Sequence, residues 1–211
     1  MASREQGSKS GRQIPPELLL EAYSQGMFPM AEDGELLWFS PDPRGILPLE
    51  QFRIPRGLRT ALKDPAWEIR VDTRFEEVLR ACASREETWI DECIAQSYIT
   101  LFALGFAHSV ETWHEGRLVG GLYGVSLGAA FFGESMFHRV SNASKVALHG
   151  LVGILKQGGF VLLDTQWKTP HLEQFGARAI PRDDYLSLLA EAVRSDAQFG
   201  KTFSLSPFLE R

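Results

Sequence analysis

Cysteine is scarce: the 211-residue chain has two, Cys82 and Cys93. They allow at most one bridge, and neither a CxxC pair nor a Cys/His zinc spacing accompanies them. A disulfide framework and a zinc module are both excluded, and a reduced, cytosolic protein is expected. Long apolar runs are lacking too. The longest uncharged stretch, Leu118 to Gly133, falls short of the ~20 residues a membrane helix needs and is interrupted by glycine, so no membrane span is expected. Excess positive charge is absent. Lys+Arg number 22 against 27 Asp+Glu, a formal net charge of −5. That argues against coating nucleic acid through a general basic surface, and leaves room for a local basic stripe. Residues 1–14 have no apolar core of a signal peptide and read as a polar, disordered tail. What is present is a globular composition, 44% hydrophobic and 23% charged, sufficient to bury a core without staples.

Pro15-Pro16 ahead of a Leu-rich run, with Gly26 behind it, predicts a helix near 16–25. Residues 27–52 are rich in proline and aromatics with little periodicity, and a second short helix is expected from Pro55 to Lys63. These make a small N-terminal unit, 15–62. The remainder, 63–211, alternates regularly. A strand is expected at Trp67–Val71. Thr73 and Glu76 suggest a capping box and a helix to about Ala83. Ile94, Tyr98, Leu101 and Phe102 recur at helical spacing and stop at Gly105. Three strands follow, 107–113, 118–126 and 129–137. Asn142 is a candidate N-cap for a helix to Gln157. Next come a strand at Phe160–Thr165, a short helix 170–175, a strand 177–180 and a helix 181–194. After the N-terminal unit the order is β-α-α-β-β-β-α-β-α-β-α. This is the order of a mixed α/β, GNAT-like acyltransferase domain, in which the fourth and fifth strands splay apart to hold an acyl donor. The glycine-rich loop that would cradle the pyrophosphate of an acyl-CoA is missing; His138 to Lys145 stand there instead.

Several constellations of residues have the composition for chemistry. Gly124-Val125-Ser126-Leu127-Gly128 has the spacing of a nucleophile elbow, but a strand follows it where a helix is required, so a tight hairpin is expected. His108, Glu111 and His114 alternate across a strand and do not converge on a metal. Arg56, Arg59 and Lys63 lie within about 60° of one another on a helix, a stripe that reads either as a solvated face or as a phosphate contact. Asp164 and Gln166 end an apolar strand and, being two apart, are expected to point into the same gap, facing Glu134. An acid in that position is costly to bury without partners, and a catalytic reading and a structural network stand level on this alone.

The longer motifs decide more. Gly26-Met27-Phe28-Pro29, Ser40-Pro41-Asp42-Pro43-Arg44, Thr88-Trp89-Ile90, Gly105 to Trp113, Leu118 to Val125, Gly133-Glu134-Ser135-Met136-Phe137, Asn142-Ala143-Ser144-Lys145 and Leu163-Asp164-Thr165-Gln166 occur in this order. Together they resemble the leucyl/phenylalanyl-tRNA–protein transferase family from Pro15 to Leu189. The resemblance implies a small N-terminal domain on a GNAT-like domain, no metal or cofactor, and a cytoplasmic bacterial enzyme. Such an enzyme moves Leu or Phe from aminoacyl-tRNA to proteins beginning with Lys or Arg, creating a degradation signal. It further implies that Gln166 holds the attacking amine, that Asp164 orients the Gln166 amide, and that Glu134 holds a reacting end. Leu122, Phe131, Met136, Leu151 and Leu163 would line the side-chain pocket. Trp89 and the position of Met30, a Trp in many members, would lie against the terminal adenosine. Arg56, Arg59 and Lys63 would contact tRNA. Two other classes stay open at this stage: a GNAT-like acyltransferase with an acyl-CoA donor, and a non-catalytic RNA-binding protein.

Overall fold

The computed structural model describes residues 13–85 and 88–205. Its elements are α1 (Pro16–Ser24), β1 (Phe28–Glu32), β2 (Glu35–Phe39), β3 (Arg44–Ile46), a single 3-10 turn (Leu49–Gln51), α2 (Arg56–Ala61) and β4 (Trp67–Val71). There follow α3 (Phe75–Ala83), α4 (Glu92–Ala103), β5 (Ala107–His114), β6 (Arg117–Leu127), β7 (Ala130–His138) and α5 (Ala143–Gln157). The chain ends with β8 (Leu162–Gln166), α6 (Pro170–Glu173), β9 (Arg178–Ile180) and α7 (Arg182–Arg194). β1 and β2 form a separate hairpin, and the other seven strands make one sheet in the order β4-β5-β6-β7-β8-β3-β9.

Both faces of this sheet are covered. Side-chain alternation sends Ala107, Tyr123, Phe132 and Leu162 to one face, against α1, α3, α4 and α7. It sends Val110, Leu122, Phe131 and Leu163 to the other, against α5 and α2. Burial on both sides explains why β6 reads as a near-continuous apolar run. Among the described strands β7 and β8 are the one parallel pair. They stay paired from Ala130/Leu162 to Phe132/Asp164 and then part. Glu134 and Gln166 lie just beyond that point. This splay is the GNAT-like feature expected from the element order, and it positions the site.

Three local readings change. Thr73 does not cap α3 from its own side chain. Its hydroxyl is taken by Glu111, a buried carboxylate that also accepts the backbone N–H groups of Thr73 and Arg74 at 2.9 and 3.0 Å. A neighbouring strand thus supplies the anionic cap that helix propensity alone assigns locally. Asn142 precedes α5 with φ at 69° and makes no side-chain capping bond. The boundary at 62 is not where the sheet divides, because β3 is inserted between β8 and β9. Residues 44–46, read as part of the N-terminal unit, are a structural strand of the main sheet. Ser126 lies within β6, hydrogen-bonded to the Phe106 carbonyl through its backbone N–H at 2.7 Å, in the strand context expected for it.

Candidate active site

The sequence of β3 places an arginine where the sheet is fully enclosed. Arg44 is wholly buried, and so is Asp164. They meet as a fork: Arg44 Nε donates to Asp164 Oδ1 at 3.0 Å and Nη2 to Oδ2 at 2.6 Å. The remaining donor, Nη1, reaches the Gly26 carbonyl at 2.7 Å. The guanidinium lies over the rings of Tyr185 and Phe28, at 4.5 and 5.0 Å from their centroids. Burial opposes the charge of Arg44, and the bond and charge of Asp164 more than offset it, so its pKa stays above the usual value. Asp164 accepts two further bonds, from the Tyr185 hydroxyl at 2.7 Å and from the backbone N–H of Gln166 at 2.8 Å. Every lone-pair direction of this carboxylate is therefore engaged by protein, which is the condition for burying a charge. Sequence reasoning missed Arg44, although it sits in the Ser-Pro-Asp-Pro-Arg motif. The carboxylate that pairs with this arginine lies 120 residues away, so its burial has no local signal.

The expectation that Asp164 and Gln166 face one gap is corrected. Asp164 does not line the cavity. Gln166 has φ at 54°, so strand alternation breaks there and its side chain turns back to the splay. The expectation that Asp164 orients the Gln166 side-chain amide is corrected as well. Asp164 holds the Gln166 backbone, whereas the side-chain Nε2 donates to Glu134 Oε1 at 3.1 Å. The Gln166 amide carbonyl is left as an acceptor without a partner among the described residues.

Glu134 is the centre of a second network. Tyr23 lies 2.7 Å from Oε1, Tyr98 lies 3.0 Å from Oε2, and the two tyrosine hydroxyls are 2.6 Å apart. Three oxygen–oxygen contacts close this ring, and two phenols bring two protons. Protonation of Glu134 supplies the third and completes the ring. Burial likewise pushes the Glu134 carboxyl up to about 7; the charge of Asp164 adds to the rise, while the two tyrosine bonds and Arg44 oppose it. The Tyr23 and Tyr98 phenols are driven well above their usual range, by burial first and by the charge of Glu134 second. Tyr23 comes from α1 and Tyr98 from α4, so the N-terminal helix reaches directly into the site.

Around these groups is a cavity of about 320 Å³. Leu122, Met136, Leu148, Leu151 and Leu163 form an apolar wall, with Glu134 and Gln166 as the polar end. Met30 and Trp89 line it together, because the β1–β2 hairpin docks through an Ala31 N–H to Trp89 carbonyl bond of 3.0 Å. Several lining residues were not foreseen, among them Leu148, Trp167 and Tyr123. Trp167 is 43% exposed and is braced edge-on by Phe28, with ring centroids 5.2 Å apart. Tyr123 also lines the cavity, and its buried hydroxyl, like Thr165 Oγ1 nearby, has no partner among the described residues. Of the foreseen pocket residues, Phe131 is displaced. It is fully buried in the paired part of β7, stacked on Phe199 at 5.4 Å, and does not line the cavity. Arg56, Arg59 and Lys63 are exposed on or just after α2 and do not line it either.

Residues 46–190 match the sequence profile of the leucyl/phenylalanyl-tRNA protein transferase family, and residues 12–42 match that family's N-terminal domain. The chain belongs to the leucyl/phenylalanyl-tRNA–protein transferase family. Proteins named leucyl/phenylalanyl-tRNA–protein transferase are similar to it over nearly their whole length. The one from Paramagnetospirillum magneticum is 52% identical over 92% of this chain and 97% of its own. The one from Herpetosiphon aurantiacus is 50% identical over 89% and 99%, and that from Akkermansia muciniphila 53% identical over 85% and 96%. Among solved structures, the chain is similar to L-PGS from Bacillus licheniformis at 13% identity and a TM-score of 0.41, over 77% of this chain and 56% of that one. It is also similar to a GCN5-related N-acetyltransferase-like protein from Streptococcus suis at 14% identity and a TM-score of 0.36, over 78% and 63%. As a member of this family the protein is an aminoacyltransferase, and the cavity at the splay is the candidate site. Within the described residues no helix is long and apolar enough to cross a membrane.

Proposed function

We propose that this enzyme works in the cytoplasm, taking leucine or phenylalanine from aminoacyl-tRNA and joining it by a peptide bond to proteins that begin with Lys or Arg, which marks them for degradation. The observation that carries the reading is the cavity itself: an apolar wall ending in a Glu134–Gln166 pair, with tryptophan at its mouth. Flexible Met136 beside aliphatic walls suits Leu or Phe, and also Met, and disfavours branching at Cβ by shape. Trp89 and Trp167 offer aromatic faces to the terminal adenine, a mode of holding a base without duplex readout, and Met30 occupies the position where many relatives carry a third. The unpartnered hydroxyls of Tyr123 and Thr165 suit the polar atoms of a bound donor.

The donor ester is already activated, so positioning supplies most of the rate. The acceptor arrives as an α-ammonium with a pKa near ~8, one proton of which must leave before attack. With its carboxyl near 7, Glu134 is ionised in a share of the molecules at neutral pH, and in that form, in contact with Gln166, it is the group matched to take that proton. Asp164 is saturated by Arg44, Tyr185 and the Gln166 backbone, and acts by positioning. The neutral amine, held on the Gln166 carbonyl, attacks the ester carbon. The bond to the ribose oxygen then breaks, and that oxygen leaves with the second amine proton.

Radiolabelled Leu-tRNA incubated with peptides beginning Lys or Arg is the direct test. Transfer of label is expected for these and not for peptides beginning Asp or Glu; the opposite preference would overturn the acceptor assignment, and no transfer to any peptide would overturn the reading.

A further inference from the structure

The cavity does not end at Trp89. It continues into an open groove of about 750 Å³, more than twice its volume, and the two share Arg85, Met136 and His171. The groove is bounded by the end of β7, which brings His138 and Arg139, and by the C-terminal part of α3. Lys145, in the first turn of α5, adds its charge close by: His171 is held below its usual pKa by burial first, and then by Lys145 and His138. These cations are weakly committed. Arg85 donates to the Met136 carbonyl and faces no carboxylate among the described residues. Lys145 has none either, and Arg139 keeps Glu77 at 3.5 Å with a second bond to the Leu118 carbonyl. By contrast Arg80, at the far edge, is fully engaged by Glu92 at 2.6 and 2.9 Å. Among the described residues Glu77 is the one acid lining the groove, so these lining side chains carry a local positive excess on a chain whose net charge is −5.

We propose that this groove is a second RNA contact, in which Arg85, Arg139 and Lys145 hold the phosphodiester backbone of the single-stranded 3′ end of the aminoacyl-tRNA. The inference rests on the transfer reading above. An aminoacyl-adenosine seated in the cavity must send its 5′ phosphate out through the mouth, and the mouth opens onto these side chains. Backbone contacts of this kind need no sequence readout and suit a 3′ terminus common to all tRNAs. The groove is distinct from α2, whose Arg56 and Arg59 lie elsewhere on the surface and do not line it.

The test uses the full chain with Arg139→Gln/Lys145→Gln, and Lys145→Gln alone as the milder variant. The KM for Leu-tRNA is expected to rise on the order of tenfold in the double variant and severalfold in the single, with kcat within twofold of the parent. The slope of log affinity against log salt should flatten by about 0.7 per lost contact. Binding of a fluorescent RNA oligonucleotide ending in CCA should weaken in parallel. An unmoved KM for Leu-tRNA, an unchanged salt slope, or a shift confined to the KM of the acceptor peptide would overturn the proposal. If the parent protein binds the oligonucleotide but transfers nothing, the transfer reading fails, while the oligonucleotide measurements still decide the groove.

Discussion

At the scale of single residues, the site separates two carboxylates by what surrounds them. Asp164 is saturated by charged and neutral donors, whereas Glu134 is buried among phenols whose protons are too few for the contacts they make. The consequences differ. Arg44→Met would leave Asp164 buried without its countercharge, and should cost about 3–5 kcal/mol in urea denaturation. Tyr185→Phe removes one bond to the same carboxylate and should cost about 1.5–3 kcal/mol. Glu134 has an ordinary value of 4.5 and is pushed up to about 7 in the fold. Between those limits the folded protein holds a proton that the unfolded chain has released. Stability from this group is therefore full below 4.5, falls as pH rises through the window, and is flat above about 7. The slope contributed is about 1.4 kcal/mol per pH unit. Glu134→Gln should remove that component, so the difference in stability between the two proteins must change between pH 5 and 7; a constant difference would refute the protonated ring.

At the scale of elements, most of the helices and central strands were legible, because apolar periodicity and Pro/Gly punctuation act locally. Trp67–Val71 is found as read. The β1–β2 hairpin was not read, although Asp33-Gly34 sits at its tip with φ of 51° and 79°, the left-handed pair that a two-residue turn requires. Its strands hide because β2 is exposed and apolar at once, without alternation. β3 was invisible for another reason: three residues, Arg-Gly-Ile, carry no period, and only pairing with β8 on one side and β9 on the other makes them a strand. Gly45 shows how tight that pairing is. A Cβ there would sit 2.4 Å from the Trp167 backbone carbon and 2.5 Å from the Lys168 nitrogen. Gly45→Ala should therefore destabilise by about 1–3 kcal/mol, and it should impair transfer more than stability explains, because the backbone it displaces carries Gln166 and Trp167. Equal activity per folded molecule would count against that coupling.

At the scale of the whole molecule, an acidic chain that handles tRNA must concentrate its cations. Arg56, Arg59 and Lys63 are exposed and, Arg59's weak 3.5 Å bond to the Ile54 carbonyl apart, free of ion pairs among the described residues. Neutralising all three should raise the KM for Leu-tRNA with kcat retained and reduce the salt slope by about 0.9 for each duplex phosphate released. Salt titration of KM in the triple variant checks this, and an unchanged slope would place the duplex contact elsewhere. Combined with Arg139→Gln/Lys145→Gln, the losses should multiply, since the two sets serve different parts of one RNA.

Motif order and periodicity are properties of the chain read linearly, and they were enough for the family, the mixed α/β order and the choice of Asp164, Gln166 and Glu134 as candidates. Which of those groups meet is a property of the fold. Arg44 lies 120 positions from Asp164, and Tyr23 lies 111 from Glu134. Burial and proton sharing depend on neighbours that such distances in sequence cannot announce, so the division of labour between the two carboxylates exists only in the fold.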